Sequence, residues 1–298
     1  MEQPLISVVM PTYNCKKYVS QAIDSILNQT YRNFEFIIVD GHSTDGTELI
    51  LNDYSLKDER VKVIKDDKKG IGAALRLGCG MAKGDYIARM DSDDIALPQR
   101  FEKEIEILKK NKELVLVSSS AIYIDERGSF MGYSFPYTSC SNIKYNLSSI
   151  LHPCVLMRRK AYEKVGGYPC IIRAEDNFLW SRLSKIGKFH VIQYPLLKYR
   201  ITNEALSNTT SDFFNKNFRE FYNEYVNKDV LSESDYAEIN SYINREIVKN
   251  VCERRNPVRK VENRIYQLLR KFLSERTSFK IVFILKNMYA QTLLRMHF

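Results

Sequence analysis

The sequence predicts an α/β protein built around a mainly parallel sheet, with a helical region at its C-terminal end. Three observations carry that prediction. The first 125 residues alternate short apolar runs with stretches of helical spacing, the rhythm of strand, helix and strand in a parallel sheet. None of the apolar runs reaches the roughly 18 residues of a membrane span. Finally, 298 residues that are 44% hydrophobic and 27% charged, with only 12 Gly and 8 Pro, have the make-up of a folded globule, not of a collagen-like, low-complexity or charge-driven disordered chain.

The elements follow in order. Ile6 to Met10 reads as a buried strand stopped by Pro11. Tyr18 to Leu27 is a helix, because Val19, Ala22, Ile23, Ile26 and Leu27 fall on one face. Phe34 to Val39 is a second strand, ending at Asp40. Ser43 or Thr44 can cap the next helix, with Asp45 and Glu48 in its first turn favourable to the helix dipole. Val61 to Ile64 is a third strand, and Ile71 to Met81 a helix with small residues at Ala73, Ala74, Gly78 and Gly80. Asp85 to Met90 is a fourth strand that runs straight into Asp91, Ser92, Asp93 and Asp94. Pro98 opens a charged amphipathic helix to Lys110, and Leu114 to Val117 is a fifth strand. Beyond residue 125 the pattern loosens. His152 to Met157 reads as a strand, Gly166 to Pro169 as a turn, and Asn177 to Ile186 as a helix entered through Glu175 and Asp176. After Arg200 the chain reads as almost wholly helical, with long polar and basic faces. The expected division is 1–204, with halves 1–125 and 126–204, followed by a basic helical region 205–298.

Charge is unevenly placed. The net charge is +9, and from Arg245 to Phe298 there are 13 Lys and Arg against 4 Asp and Glu, a surplus of nine, so residues 1–244 sum to about zero. Basic residues interleaved with aromatics on the folded body would point to nucleic acid; their absence argues against that partner. The six cysteines (Cys15, Cys79, Cys140, Cys154, Cys170, Cys252) are scattered, without CxxC or metal-like Cys/His spacing, and read as free thiols in a reducing compartment. The N-terminal residues Met1 to Pro4 carry no basic stretch leading into an apolar cleavage signal, so the chain is expected to be cytoplasmic, neither secreted by a signal peptide nor membrane-spanning.

In an open α/β sheet ligands lie beyond the carboxyl ends of the strands, near a switch in strand order. Three such ends carry polar residues: Thr12, Tyr13 and Asn14; Asp40; and Asp91 to Asp94. Asp91 and Asp93, two apart in a loop after a buried strand, can project towards one point and hold a hard divalent cation through oxygen ligands; an Asx-turn or a helix cap explains the same pair. Asp40 can cap a helix or accept hydrogen bonds from a nucleoside. Glu175 and Asp176 suit a helix start, or a general base beside an acceptor hydroxyl. Trp180 lies four residues after Asp176 on the same helical face, for core packing or for stacking on a sugar. His152 has no second His or Cys at ligand spacing, which leaves a loop histidine or a phosphate contact. Gly70, Ile71 and Gly72 lack both the Lys-Ser/Thr of a P-loop and a third Rossmann glycine, so ATPase and dehydrogenase readings fail.

Taken in chain order, these segments resemble family 2 glycosyltransferases of the GT-A fold, a Rossmann-like sheet flanked by helices. The resemblance begins with Ile6-Ser-Val-Val-Met-Pro-Thr-Tyr-Asn14, Ser25-Ile-Leu-Asn-Gln-Thr-Tyr31 and Ile38-Val-Asp-Gly-His-Ser-Thr-Asp-Gly-Thr47. It continues through Ala82 to Asp94, Leu97-Pro-Gln-Arg100, His152-Pro153, Gly166-Gly-Tyr168, Glu175-Asp176 with Leu179-Trp180, and Leu197-Lys-Tyr-Arg200. It implies that Thr12, Tyr13 and Asp40 face the nucleoside, that Asp91 contacts the ribose or a metal, and that Asp93 holds Mn²⁺ or Mg²⁺ at the diphosphate. Asp176 is then the base at the acceptor hydroxyl, and Glu175 supports it or binds the acceptor. Arg100 helps place the donor or is buried in a pair with an acidic loop; Arg89 is a weaker candidate of the same kind. Trp180 and His152 are the acceptor-side candidates. Where many relatives read Asp-Asp-Gly-Ser, this chain has Asp40-Gly41-His42-Ser43, so a contact from a second carboxylate is lost.

The resemblance further implies an inverting transfer from a nucleotide-diphosphate sugar, with UDP the expected carrier, to a glycan or lipid-linked glycan in capsule, O-antigen or other surface polysaccharide assembly. The basic C-terminal helices suit an anionic membrane surface at its inner face, a solvated helical subdomain, or a homodimer. A polyprenyl-phosphate sugar transferase, a nucleotidyltransferase and a non-catalytic nucleotide-binding scaffold remain the alternatives.

Overall fold

The computed structural model describes residues 3–67, 70–134, 150–202, 224–228 and 231–249, with side chains as far as residue 242. The basic stretch 250–298, with its expected membrane and dimer contacts, lies outside the described residues. No described helix is long and apolar enough to cross a membrane.

The elements are β1 (Ile6–Thr12), α1 (Val19–Leu27), β2 (Phe34–Asp40), α2 (Thr47–Lys57), β3 (Val61–Lys65), α3 (Ile71–Gly80), β4 (Tyr86–Arg89), β5 (Ile95–Ala96), α4 (Arg100–Lys110), β6 (Leu114–Ile124), β7 (Phe130–Tyr133), β8 (Leu156–Arg158), α5 (Arg159–Lys164), α6 (Glu175–Leu183), β9 (Lys188–Arg200) and α7 (Glu233–Lys249). The sheet runs β3-β2-β1-β4-β8-β6-β9-β5, with β7 beside β6. β1 pairs in parallel with both β2 and β4, and β2 with β3. β8 is antiparallel to β4 and β6, and β9 is parallel to β6. The chain therefore leaves β1 towards β3 and returns to β4 on the other side. The carboxyl ends of β1, β2 and β4 open onto the resulting crevice.

Side chains alternate across this sheet because successive residues of a strand face opposite ways. Ile6, Val8, Met10, Phe36, Ile38 and Ala88 pack under α1 and α4. Val9, Ile87, Leu116 and Met157 face α3 and α6, with Leu75, Leu179, Trp180 and Leu183. Arg89, opposite Val9 in the β1–β4 register, belongs to this second face.

Four sequence expectations change. β1 does not stop at Pro11 but continues to Thr12. The Val9 carbonyl accepts from Met90 on the β4 side, and Pro11, pointing the same way two residues on, lies past the end of β4, where no ladder N–H is required. Neither Ser43 nor Thr44 caps α2; Gly46 precedes the helix, and Asp45 Oδ1 instead accepts from the Thr47 backbone N–H at 2.9 Å and its hydroxyl at 2.6 Å. His152 to Cys154 forms a 3₁₀ turn ahead of the short β8, with Pro153 in its first turn. The stretch Lys188–Arg200, of which only Leu197–Arg200 carries a motif in the sequence, is a 13-residue strand. Its register against β6 shifts where Ser120 meets Pro195, so one continuous alternation is absent from the sequence.

One close approach ties α3 to the loop ahead of α6. A Cβ on Gly72, in α3, would lie 2.5 Å from the Ile171 carbonyl oxygen and closer still to that of Pro169. Only glycine lets α3 lie against this loop, which leads directly into α6.

Candidate active site

At the end of β1, Thr12 is buried and its hydroxyl has no hydrogen-bond partner, while Tyr13 is 64% exposed. Asp40, at the end of β2, is also buried. It accepts a hydrogen bond from the Ser43 hydroxyl at 2.6 Å and longer ones from the Ser43 N–H at 3.3 Å. The Ser43 oxygen in turn accepts from the Asn14 N–H at 2.9 Å, and the Gly41 N–H donates to the Thr12 carbonyl at 2.9 Å. The ends of β1 and β2 are thus locked together around Asp40. His42, in a left-handed conformation with φ 60°, turns outward to Asp67 at 2.8 Å.

The acidic loop begins where β4 ends. Asp91, Asp93 and Asp94 each offer a carboxylate oxygen within 4.8 Å of the other two. Asp94 is fully buried; its Oδ1 accepts the Arg200 N–H at 2.7 Å, and its Oδ2 is buried without a partner. The Arg200 guanidinium donates to the Asp93 carbonyl at 2.8 Å and to Gln21 at 3.0 Å, and Cys15 Sγ donates to the Ser92 carbonyl at 3.2 Å. Burial and the neighbouring Asp91 charge push Asp93 up to about 6, and the same causes hold Asp94 well above the usual carboxylate range. Three carboxylates with too little compensating charge and one orphaned oxygen are a donor set that fits a hard divalent cation.

Across the crevice, Glu175 and Asp176 occupy the first turn of α6, after Ala174 in a left-handed conformation. Glu175 is buried, and burial followed by the Asp176 charge pushes its carboxyl up to about 8. Asp176 is half-buried; its Oδ1 accepts from the backbone N–H of Asn177 at 2.7 Å and from that residue's side-chain amide at 3.0 Å, and burial raises its pKa. His152 lies beside this pair, with Nε2 2.8 Å from the Tyr168 hydroxyl and Nδ1 3.6 Å from Glu175. Burial, with the Arg89 charge, holds the imidazole neutral.

Arg89 joins the two groups. Its buried guanidinium pairs with Asp91, and its charge also acts on Glu175, Asp176 and His152. The sequence offers Arg89 as a weaker candidate either for placing the donor or for buried pairing with the acidic loop, and the structure shows the pairing. Its position one residue before Met90 and two before Asp91, on the face that α6 covers, is the signal that locates it between the carboxylates.

Three candidates are placed away from an open ligand surface. Arg100 is wholly buried, bonding to Glu104 at 3.1 Å and to the carbonyls of Arg89 at 2.8 Å and Val155 at 3.3 Å; it braces the base of the acidic loop and presents nothing to a donor. Trp180 is wholly buried, edge-on to His152 with ring centroids 5.7 Å apart, so it has no exposed face for a sugar. His152, its side chain 10% exposed, is turned to Glu175 and Tyr168. Arg200, quoted in the sequence only as part of a longer segment, holds the acidic loop from 106 residues away.

A profile described as Glycosyl transferase family 2 matches residues 7–166, more than half of the chain. The chain belongs to glycosyltransferase family 2. An uncharacterized glycosyltransferase of Methanocaldococcus jannaschii is 36% identical to it over 211 residues, which cover 68% of this chain and 73% of that one. The structure of S. aureus TarS 1–349 in complex with UDP-GlcNAc aligns with a TM-score of 0.58 at 20% identity, covering 80% of this chain and 71% of that one. The mannosyltransferase PcManGT from Pyrobaculum calidifontis, in complex with GDP-Man and Mn²⁺, aligns at 0.57 and 15% identity, covering 97% and 88%. At these identities the two structures establish the GT-A fold. The acidic loop lies inside the region matched by the family profile, whereas α6, with Glu175 and Asp176, lies beyond it.

Proposed function

We propose that this glycosyltransferase moves a sugar from a nucleotide-diphosphate donor, with UDP as the preferred carrier, to a hydroxyl of a glycan or lipid-linked glycan, with inversion at the anomeric carbon. The observation that carries the proposal is the pair of carboxylate groups about one buried cation: Asp91, Asp93 and Asp94 past β4, Glu175 and Asp176 on α6, and Arg89 between them. The UDP-GlcNAc bound to TarS supports a UDP donor, and the Mn²⁺ bound with GDP-Man in the mannosyltransferase supports a divalent cation.

In this reading Tyr13 offers a ring face, and Thr12 and Asp40 polar atoms, to the nucleoside. Asp91, Asp93 and Asp94 hold Mn²⁺ or Mg²⁺, which when bound supplies positive charge to the departing diphosphate. Asp176 takes the proton of the acceptor hydroxyl as that oxygen bonds to the anomeric carbon. The bond from this carbon to the phosphate oxygen breaks on the opposite face, and its electron pair leaves with the nucleoside diphosphate. Burial makes Asp176 a stronger base than an exposed aspartate, while the Arg89 charge favours its ionised form. Glu175, carrying a proton near neutrality, can donate a hydrogen bond to the acceptor or to Asp176. The family resemblance puts this reaction in surface polysaccharide assembly, and the basic residues beyond Arg245 suit an anionic surface at the inner face of a membrane.

Calorimetric titration with UDP, GDP and dTDP, each with and without Mn²⁺, tests the donor site. One nucleotide should bind at least about tenfold more tightly with Mn²⁺, a gain that Asp93→Ala should abolish. No binding of any of the three by folded protein would sink the assignment and favour a scaffold without activity.

A further inference from the structure

Helix α6 carries both acceptor-side carboxylates, yet residues from the far end of the chain hold its two ends. The segment entering it runs from Cys170 to Ala174, and Ala174 lies at φ 63°, ψ 18°, in the left-handed region that disfavours any residue with a Cβ. Such a conformation persists only where the surroundings over-determine it. Asn240, on α7, accepts the Ile172 N–H through Oδ1 at 2.9 Å and donates from Nδ2 to the Cys170 carbonyl at 3.4 Å. One side-chain amide thereby fixes both the donor and the acceptor edge of the entering segment. Towards the other end of α6, Arg182 donates to the carbonyls of Val226 at 3.3 Å and of Lys228. Between these two points Ile171 and Phe178 pack against Tyr225, Val226, Leu231 and Ile239.

We infer that the segments around Tyr225 and Asn240 form the seat of α6, and that Asn240 is a positioning residue: its amide holds the entering segment so that the left-handed Ala174 turns Glu175 and Asp176 into the crevice. The inference rests on Asp176 as the base of the transfer. It assigns a catalytic consequence to a segment beyond the region matched by the family profile, because whatever displaces α7 displaces the base.

The full-length Asn240→Ala variant tests this by amide hydrogen exchange and by turnover. Exchange in peptides covering residues 171–178 should quicken by at least about tenfold, while peptides of β1 and β2 keep wild-type rates. Release of nucleoside diphosphate from UDP-GlcNAc or GDP-mannose, with water as acceptor, should fall roughly tenfold in kcat at unchanged donor KM. Adding Ala174→Gly, which adopts the left-handed conformation without steric penalty, should return kcat to within about threefold of wild type. Unchanged exchange over 171–178 overturns the inference, and so does a kcat loss that Ala174→Gly fails to restore or a loss that appears as raised donor KM. Asp176→Asn keeps the two readings apart. Wild-type release by that variant would sink the base assignment, and the exchange result would still decide whether Asn240 holds the segment.

Discussion

Glu175 is a carboxylic acid set where its charge is costly, between Asp176 and a neutral His152 in a buried turn. Its pKa is about 4.5 when exposed and about 8 in the folded protein, so the native state binds a proton that the unfolded chain has lost over most of that interval. The stability this contributes is fully present below pH about 4.5 and is lost as pH rises through about 8. Glu175→Gln keeps the shape and removes the titration. Denaturant unfolding at pH 5 should give nearly equal stability for variant and wild type. At pH 8.5 the variant should be more stable by about 1–3 kcal/mol. Parallel pH profiles for the two proteins would show that Glu175 is already ionised in the folded state. At this scale the sequence is only partly legible. Asp91, Asp93 and Asp176 stand out by their places at strand and helix ends, although an Asx-turn or a helix start uses the same residues. For Arg100 and Trp180 the sequence leaves a buried role and a ligand-facing one both open, because burial depends on partners far along the chain, such as the Val155 carbonyl for Arg100. Arg200 is missed for the same reason, its partners lying at Gln21 and Asp93.

Among the elements, those with uninterrupted spacing are the ones the sequence announces. β1, β2 and α1 are legible because each presents a complete apolar face. β5 has only two residues, β7 exposes Phe130 and Met131, and β9 breaks its register at Pro195, so none of the three carries a continuous pattern. The contact of α3 with the loop before α6 is likewise invisible in the sequence, where Gly72 reads as half of a weak phosphate loop. Its actual role is steric, and this gives a prediction. In Gly72→Ala the new Cβ would meet backbone oxygens of Pro169 and Ile171, which cannot rotate away as a side chain would. A loss of about 1–3 kcal/mol in thermal or denaturant unfolding is expected. Because the displaced loop leads to Ala174, turnover should fall while nucleotide binding at β1 and β2 is kept. Gly80→Ala, in the same helix with nothing within 4 Å of the added carbon, is the control and should be neutral or slightly stabilising. Equal behaviour of the two variants would remove the close approach as an explanation.

Over the whole molecule, the strand order makes the crevice and the C-terminal segment completes it. The switch from β3 back to β4 brings Thr12, Asp40 and the acidic loop to one end of the sheet. The second carboxylate pair arrives on α6, whose outer face is covered by residues beyond 204. A chain cut at residue 204 would uncover Ile171 and Phe178 and strip the Arg182 guanidinium of the Val226 and Lys228 carbonyls. Full burial of a large apolar side chain contributes about 1.5–3 kcal/mol and each hydrogen bond about 0.5–1.5 kcal/mol, so the two side chains together with the two lost hydrogen bonds put the deficit at roughly 4–9 kcal/mol. For a domain of this size that lowers the melting temperature by roughly 10 °C or more, with apolar surface left open to association. A fragment ending at residue 249 retains α7 and should melt close to the full chain. Calorimetry and light scattering on the two fragments decide between an accessory tail and a structural one. If the 1–204 fragment melted with the full chain and stayed monomeric, the grip of the C-terminal segment on α6 would be energetically empty. If it melted early and the longer fragment did not, the enzyme's catalytic unit would extend through α7, and the acceptor half of the site would depend on a helix that lies outside the sheet.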